Sequence, residues 1–266
     1  MNVEYIANFE VLISVLFFGL FFKLSLSIFK SNISCLSPEY YLYSKYAFTN
    51  LFWAIPFLLS ILDSTFGIFN NNYYWSWLSN ISDTIGSVYL LSYTLVLSYS
   101  CIFTNKITYT LRSSFCNKKN CIGRYIVTGS YLIIFLIWTV SLFGLYNEIH
   151  NPYSTALSSK ESVNIFSYEL FFTSIGVCSL AISGLLHIFK IGRKRISNYN
   201  FGIGIGLLIF AASDALQPIE LYINNSLYLT ETNLWWIEWI LALIGLIFYY
   251  IGSNKMIENE IKKKFY

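Results

Sequence analysis

Long apolar stretches alternate with short polar ones along the whole chain. Seven stretches stand out: Phe9–Phe29, Tyr46–Leu62, Ile81–Phe103, Tyr125–Tyr146, Ile165–Phe189, Tyr199–Tyr222 and Leu234–Gly252. A helix needs about 20 mainly apolar residues to cross roughly 30 Å of hydrocarbon. The pattern therefore predicts an all-α fold, a polytopic membrane bundle of seven transmembrane helices. Seven spans with short connections use nearly all of residues 1–266, so a single transmembrane domain is expected. The longest basic gap, Thr104–Arg124, is too short to fold by itself, because domains under about 40 residues usually need disulfides or metals.

Basic residues give the expected orientation. Of the 17 Lys and Arg residues, all but Lys160 fall in the odd-numbered gaps, the tail or the adjoining span ends. Lys23, Lys30 and Lys45 flank the first gap, and Lys106, Arg112, Lys118, Lys119 and Arg124 fill the third. Lys190, Arg193, Lys194 and Arg195 fill the fifth, and Lys255, Lys262, Lys263 and Lys264 lie in the tail. The positive-inside rule then predicts an outside N-terminus and a cytoplasmic C-terminus. Lys23, inside the first span, is expected to reach the interface along its flexible stem.

Composition agrees with this reading. The chain is 56% hydrophobic and only 12% charged, against roughly 25% charged in an average globular protein. The net charge of +3 combines a basic inner face with an acidic outer one, so it gives no reason to expect nucleic acid. Glu4 and Glu10 flanking the start of the first span, with no basic leader, argue against a cleaved signal. The bilayer is the expected partner, and nothing in the chain identifies a cytoplasmic partner or which membrane is used. Cys116 and Cys121 lack the second ligand pair that zinc sites usually have. The two histidines, His150 and His187, fall on opposite sides, and His187 is expected to be a hydrogen-bonded interfacial side chain. Neither a metal site nor a cofactor is expected.

Small residues and aromatics have structural readings. Gly202 and Gly206 lie four apart on one helix face, a spacing that lets another helix backbone come close. Gly19, Gly176 and Gly184 are read the same way. Tyr40, Tyr41, Tyr43 and Tyr46 before the second span, and Trp235, Trp236 and Trp239 at the seventh, are expected to sit in the interfacial aromatic belts. Spans one and five, two and six, and three and seven run in matching directions, which is compatible with a three-plus-one-plus-three repeat.

Ionisable groups within the hydrocarbon mark the candidate chemistry, since each costs at least about 2.5–3.5 kcal/mol at mid-membrane on insertion scales. Asp214 is the deepest, in Ala211-Ala212-Ser213-Asp214-Ala215. Glu238 lies about a turn inside the seventh span, Glu169 about a turn inside the fifth, and Asp83 at the mouth of the third. All four fall in the outer leaflet, where no Lys or Arg accompanies them. Carboxyls gathered without a basic partner tend to be protonated or to hold a cation or amine. Asp214, Glu238, Asp83, Glu169 and Ser213 are thus the candidate ligand- or cation-binding residues. No catalytic set is identified.

Family motifs narrow the choice. Microbial opsins share seven spans and this orientation, but they need a lysine midway along the seventh helix. The stretch Trp239–Tyr250 has none, which excludes a retinal Schiff base. The motifs of rhodopsin-class receptors are likewise missing from the ends of spans three and seven. The run from Gly206 to Ser213-Asp214 resembles the Ser-Asp helix of lysoplasmalogenase-type membrane hydrolases over about one helix, but that family's companion Gly-Asp helix has no counterpart. The expectation is a receptor- or sensor-like membrane protein with an acidic pocket open to the outside, taking a small molecule or cation. A small-solute or cation- or proton-coupled carrier is the alternative, and a membrane-embedded hydrolase a further one.

Overall fold

The computed structural model describes residues 3–32, 38–66, 72–103, 161–191, 198–227 and 234–261, and the isolated helical positions 129, 132, 133 and 136. Apart from those four positions, the expected fourth span lies outside the described residues. Six long helices result: α1 (Val3–Asn32), α2 (Pro38–Phe66), α3 (Asn72–Phe103), α4 (Glu161–Leu186), α5 (Asn198–Leu227) and α6 (Leu234–Met256). A π-turn closes α4 at His187–Ile191, and another closes α6 at Ile257–Ile261. There is no strand among the described residues. Lipid offers no partner for exposed backbone polar groups, and helices satisfy those groups internally.

Five of the six helices are long and apolar enough to cross a membrane: α1, α2, α4, α5 and α6. The protein is a multi-pass helical membrane protein. The remaining helix, α3, is long but more polar, and its side chains show why. Ser82, Thr84, Ser87, Ser92, Thr94 and Ser98 are all buried against neighbouring helices. On α6 the arrangement is inside-out relative to a soluble protein. Ile237, Ile240, Ile244, Ile247 and Ile251 form an exposed apolar stripe, spaced three and four apart on one face. The opposite face turns Gly245, Tyr249, Gly252 and Ser253 into the bundle.

Each helix packs on the next in sequence, and α6 returns to α1, so the six form a closed ring. Paired contacts give the directions. Phe17 meets Phe57 while Phe29 meets Phe48, so α1 and α2 are antiparallel. The α2–α3 pair is antiparallel too, through Trp53–Ser87 and Lys45–Ser92. By contrast, Thr84 touches Phe172 and Thr94 touches His187, so α3 and α4 run parallel.

Glycines set the tightest seams. A Cβ on Gly206 would fall 2.6 Å from the Tyr249 nitrogen of α6, and one on Gly252 would fall 2.7 Å from the Ile203 nitrogen of α5. Gly202 lies on the same seam but more loosely, its nearest neighbour being the Phe248 carbonyl at 3.4 Å. Gly204, between them, faces α4, where the Gly184 carbonyl would lie 2.9 Å from a Cβ. One glycine run thus serves two neighbours of α5. Gly19 and Gly176 meet nothing within 4 Å, and the packing expectation fails for them.

Three further expectations are corrected. Tyr43 and Tyr46 are buried rather than interfacial, and the Tyr46 hydroxyl shares a 2.6 Å hydrogen bond with Ser253 Oγ on α6. Lys45, expected at the edge of the first gap, lies inside α2. It is 2% exposed, its Nζ donates to Ser92 Oγ at 2.9 Å, and it stands 5.5 Å from the Tyr89 ring centroid. His187 is fully buried rather than interfacial, with Nε2 3.5 Å from Thr94 Oγ1 and its ring stacked on Tyr93. Lys23 remains exposed and lies over the Tyr250 ring.

Candidate functional site

All six helices contribute to one cavity of about 230 Å³. It opens at the end of the bundle where α2 and α5 finish and α3, α4 and α6 begin. Asp83 comes from α3, Asp214 and Ser213 from α5, and Glu238 from α6. Four candidate residues far apart in sequence therefore line a single space. The three acids are each partly buried. Glu169 belongs to α4, but its side chain lies outside the described residues, and α4 contributes Leu180 to the cavity.

Local sequence explains the placement. Ser213 is buried, and its hydroxyl donates to the Glu238 backbone carbonyl at 2.9 Å. This bond clamps α5 onto the first turns of α6 and holds Asp214 and Glu238 around one mouth. It also commits the Ser213 hydroxyl proton to backbone. Asp214 sits well inside a continuous helix, since α5 runs past Pro218 to Leu227. It is not part of a terminal cap. Pro56, on the α2 wall, has no N–H to give to the carbonyl four residues earlier.

The floor is aromatic. Phe17 and Phe21 of α1, Trp53 and Phe57 of α2, Phe210 of α5 and Trp239 of α6 line it. Their rings interlock: Phe17 and Phe57 are 4.8 Å apart between centroids, Phe21 and Trp53 5.4 Å, and Trp53 and Phe210 6.1 Å. Phe17 and Trp239 meet edge to face at 87°. Such edge-on pairings are the favoured aromatic geometry. Trp239, expected in the interfacial belt, lines the cavity instead, and the phenylalanines carry no signal of this role in the chain. Only their facing positions on four helices, invisible in a linear chain, reveal them.

Below the floor lies a buried polar layer. Tyr249 joins the two levels, because its ring packs on Trp53 at 5.5 Å while its hydroxyl donates to Asn50 Oδ1 at 3.2 Å. Asn50 Nδ2 donates to the Tyr46 carbonyl at 2.7 Å, and the Tyr46 hydroxyl meets Ser253. This layer has no signal in the linear sequence. Asn50, Tyr46 and Tyr249 look like ordinary span residues until their helices are paired.

The described lining contains no Lys, Arg or His. Three carboxyls around a small volume of low dielectric repel one another when ionised. The cavity is thus suited to positive charge. The acids are not gathered closely enough to form a metal cage: no group of three His, Cys, Asp or Glu residues is placed to hold a metal ion among the described residues. No protein-family model matches the chain, and no curated protein matches it in sequence.

Proposed function

We propose that the protein is a receptor- or sensor-like membrane protein of seven spans, with a pocket facing outward that takes a small cationic ligand. The convergence of Asp83, Asp214 and Glu238 on one aromatic-floored cavity carries this reading. The cavity is closed below by interlocked rings. That arrangement suits a site which binds from one side and reports the event through the bundle.

Two observations support the seven-span topology. Because α3 and α4 run parallel, the chain between them must travel back along the bundle. The apolar stretch Tyr125–Tyr146 lies in that interval. Every Lys on the described helices, namely Lys23, Lys30, Lys45, Lys190 and Lys255, belongs to the half away from the cavity. That distribution favours a cytoplasmic location for the far end.

A carrier is the second reading. The polar layer of Asn50, Tyr46, Tyr249 and Ser253 beneath the floor favours it, since a through-path needs polar groups on both sides of a gate. One experiment separates the readings. The full chain is reconstituted in liposomes, and intrinsic tryptophan fluorescence is followed alongside cation flux while cations are added from either side. A fluorescence response without flux supports the receptor, whereas flux that Asp214→Asn abolishes supports the carrier. If neither responds to any cation, the pocket has no cation-binding role.

A further inference from the structure

We infer that the ligand of this pocket is an organic ammonium ion with a slender apolar body, rather than an inorganic cation. The inference rests on the acidic-pocket reading above and goes on to name its ligand class. Four features of the cavity lead to it.

The first is the spread of the carboxyls. They stand on three different helices around the mouth and do not form a cluster able to chelate a metal among the described residues. An ammonium group donates several hydrogen bonds in different directions, so it can meet carboxyls arranged this way one at a time.

The second is the ring-lined floor. Phe17, Phe21, Trp53, Phe57 and Phe210 present aromatic carbon below the acids. A bare, strongly hydrated ion gains little there. A methylated or alkyl-substituted ammonium gains twice, through attraction to ring faces and through burial of its carbon.

The third is the charge of the walls. The described lining holds three carboxyls and no Lys, Arg or His. The Trp53 indole N–H already donates to Ser87 Oγ at 3.4 Å, and the Ser213 hydroxyl donates to the Glu238 carbonyl. Ser79 and Trp239 add a hydroxyl and an indole N–H, both neutral groups. An anionic molecule would meet carboxyls there and no described basic side chain.

The fourth is size. A water molecule occupies about 30 Å³ in the liquid. A cavity of about 230 Å³ has room for a body of several heavy atoms.

The test uses the purified full chain in detergent or nanodiscs. Butylammonium and methylammonium are the probes. Sodium and calcium chloride at matched ionic strength, and the neutral analogue butanol, are the comparisons. Binding is read from tryptophan fluorescence and from the ligand-dependent rise in melting temperature. The expected result is saturable binding of the ammonium probes, weakened at least about tenfold by Asp214→Asn and also weakened by Phe57→Ala. The chloride salts and butanol should give no saturable effect. Saturable binding of sodium or calcium alone would overturn the ammonium class but leave the acidic-pocket reading standing. Equal binding of butanol and butylammonium would show an unselective apolar pocket and overturn the inference. No response from any cation, in a wild-type protein with a cooperative melt, would remove both readings together.

Discussion

The indole of Trp53 occupies the space that any side chain at Gly86 would need. A Cβ on Gly86 would fall 2.6 Å from Trp53 Cδ1 and 3.2 Å from the Thr49 carbonyl. Trp53 is also in the cavity floor. Gly86 therefore sets the position of a floor residue from the neighbouring helix. Gly86→Ala should push the indole off α3 and destabilise the fold by about 1–3 kcal/mol, the usual cost of overpacking. Thermal denaturation measures the loss, and a shifted tryptophan emission reports the displaced ring. An unchanged melt and spectrum would mean that the two helices slide apart at little cost.

Gly202 and Gly206, paired by their spacing in the sequence, are not equivalent. Gly206→Ala should lower thermal stability clearly, because backbone atoms of α6 block its Cβ at 2.6 and 2.8 Å. Gly202→Ala should behave nearly as wild type, since its Cβ would meet its nearest neighbour at 3.4 Å. Gly204→Ala should resemble Gly206→Ala, acting instead through α4. Equal melting temperatures for the Gly202 and Gly206 variants would contradict this seam.

Ser213 is expected to act on the pocket by position. Its hydroxyl holds α6 against α5 beside Asp214 and Glu238. Ser213→Ala should cost about 0.5–1.5 kcal/mol of stability and reduce cation affinity less than Asp214→Asn does. Asp214→Asn should keep the fold, because it preserves shape and hydrogen-bonding capacity. Paired melting and binding curves distinguish the two effects. A Ser213→Ala variant that loses all binding while melting normally would make the hydroxyl a direct ligand contact.

A reporter fused after Tyr266 should be cytoplasmic, and a tag placed within 147–164 should be accessible from outside. Labelling of intact cells reads both. A tail labelled from outside would reverse the orientation and turn the cavity toward the cytoplasm.

The sequence made the all-helical, multi-pass class legible because the bilayer imposes it. Apolar length marks a candidate span whatever the helices pack against. The same logic singled out Asp83, Asp214 and Glu238, since carboxyls are rare in apolar runs. It misread Lys45, His187 and Tyr46, which sit near span ends where lysine, histidine and tyrosine usually meet water. Their burial follows from which helices adjoin, and no local pattern encodes that. The aromatic floor was hidden for a related reason. Phe17, Phe57 and Phe210 are chemically indistinguishable along the chain from the exposed Phe22 and Phe248. Only Gly204 had a readable signal, as the middle of a run whose outer members were already assigned to packing.

The bond between Tyr46 and Ser253 spans 207 positions of the chain, and that between Asn50 and Tyr249 spans 199. During synthesis, α2 leaves the ribosome carrying a tyrosine hydroxyl and an amide oxygen whose partners on α6 are made long afterwards. Until α6 arrives, those groups must be shielded by some other means, because bare hydrocarbon penalises unpaired polar groups. Release of α2 into lipid should therefore wait on α6. A chain truncated before Leu234 should be held by the insertion machinery or degraded, leaving no stable remnant in the membrane.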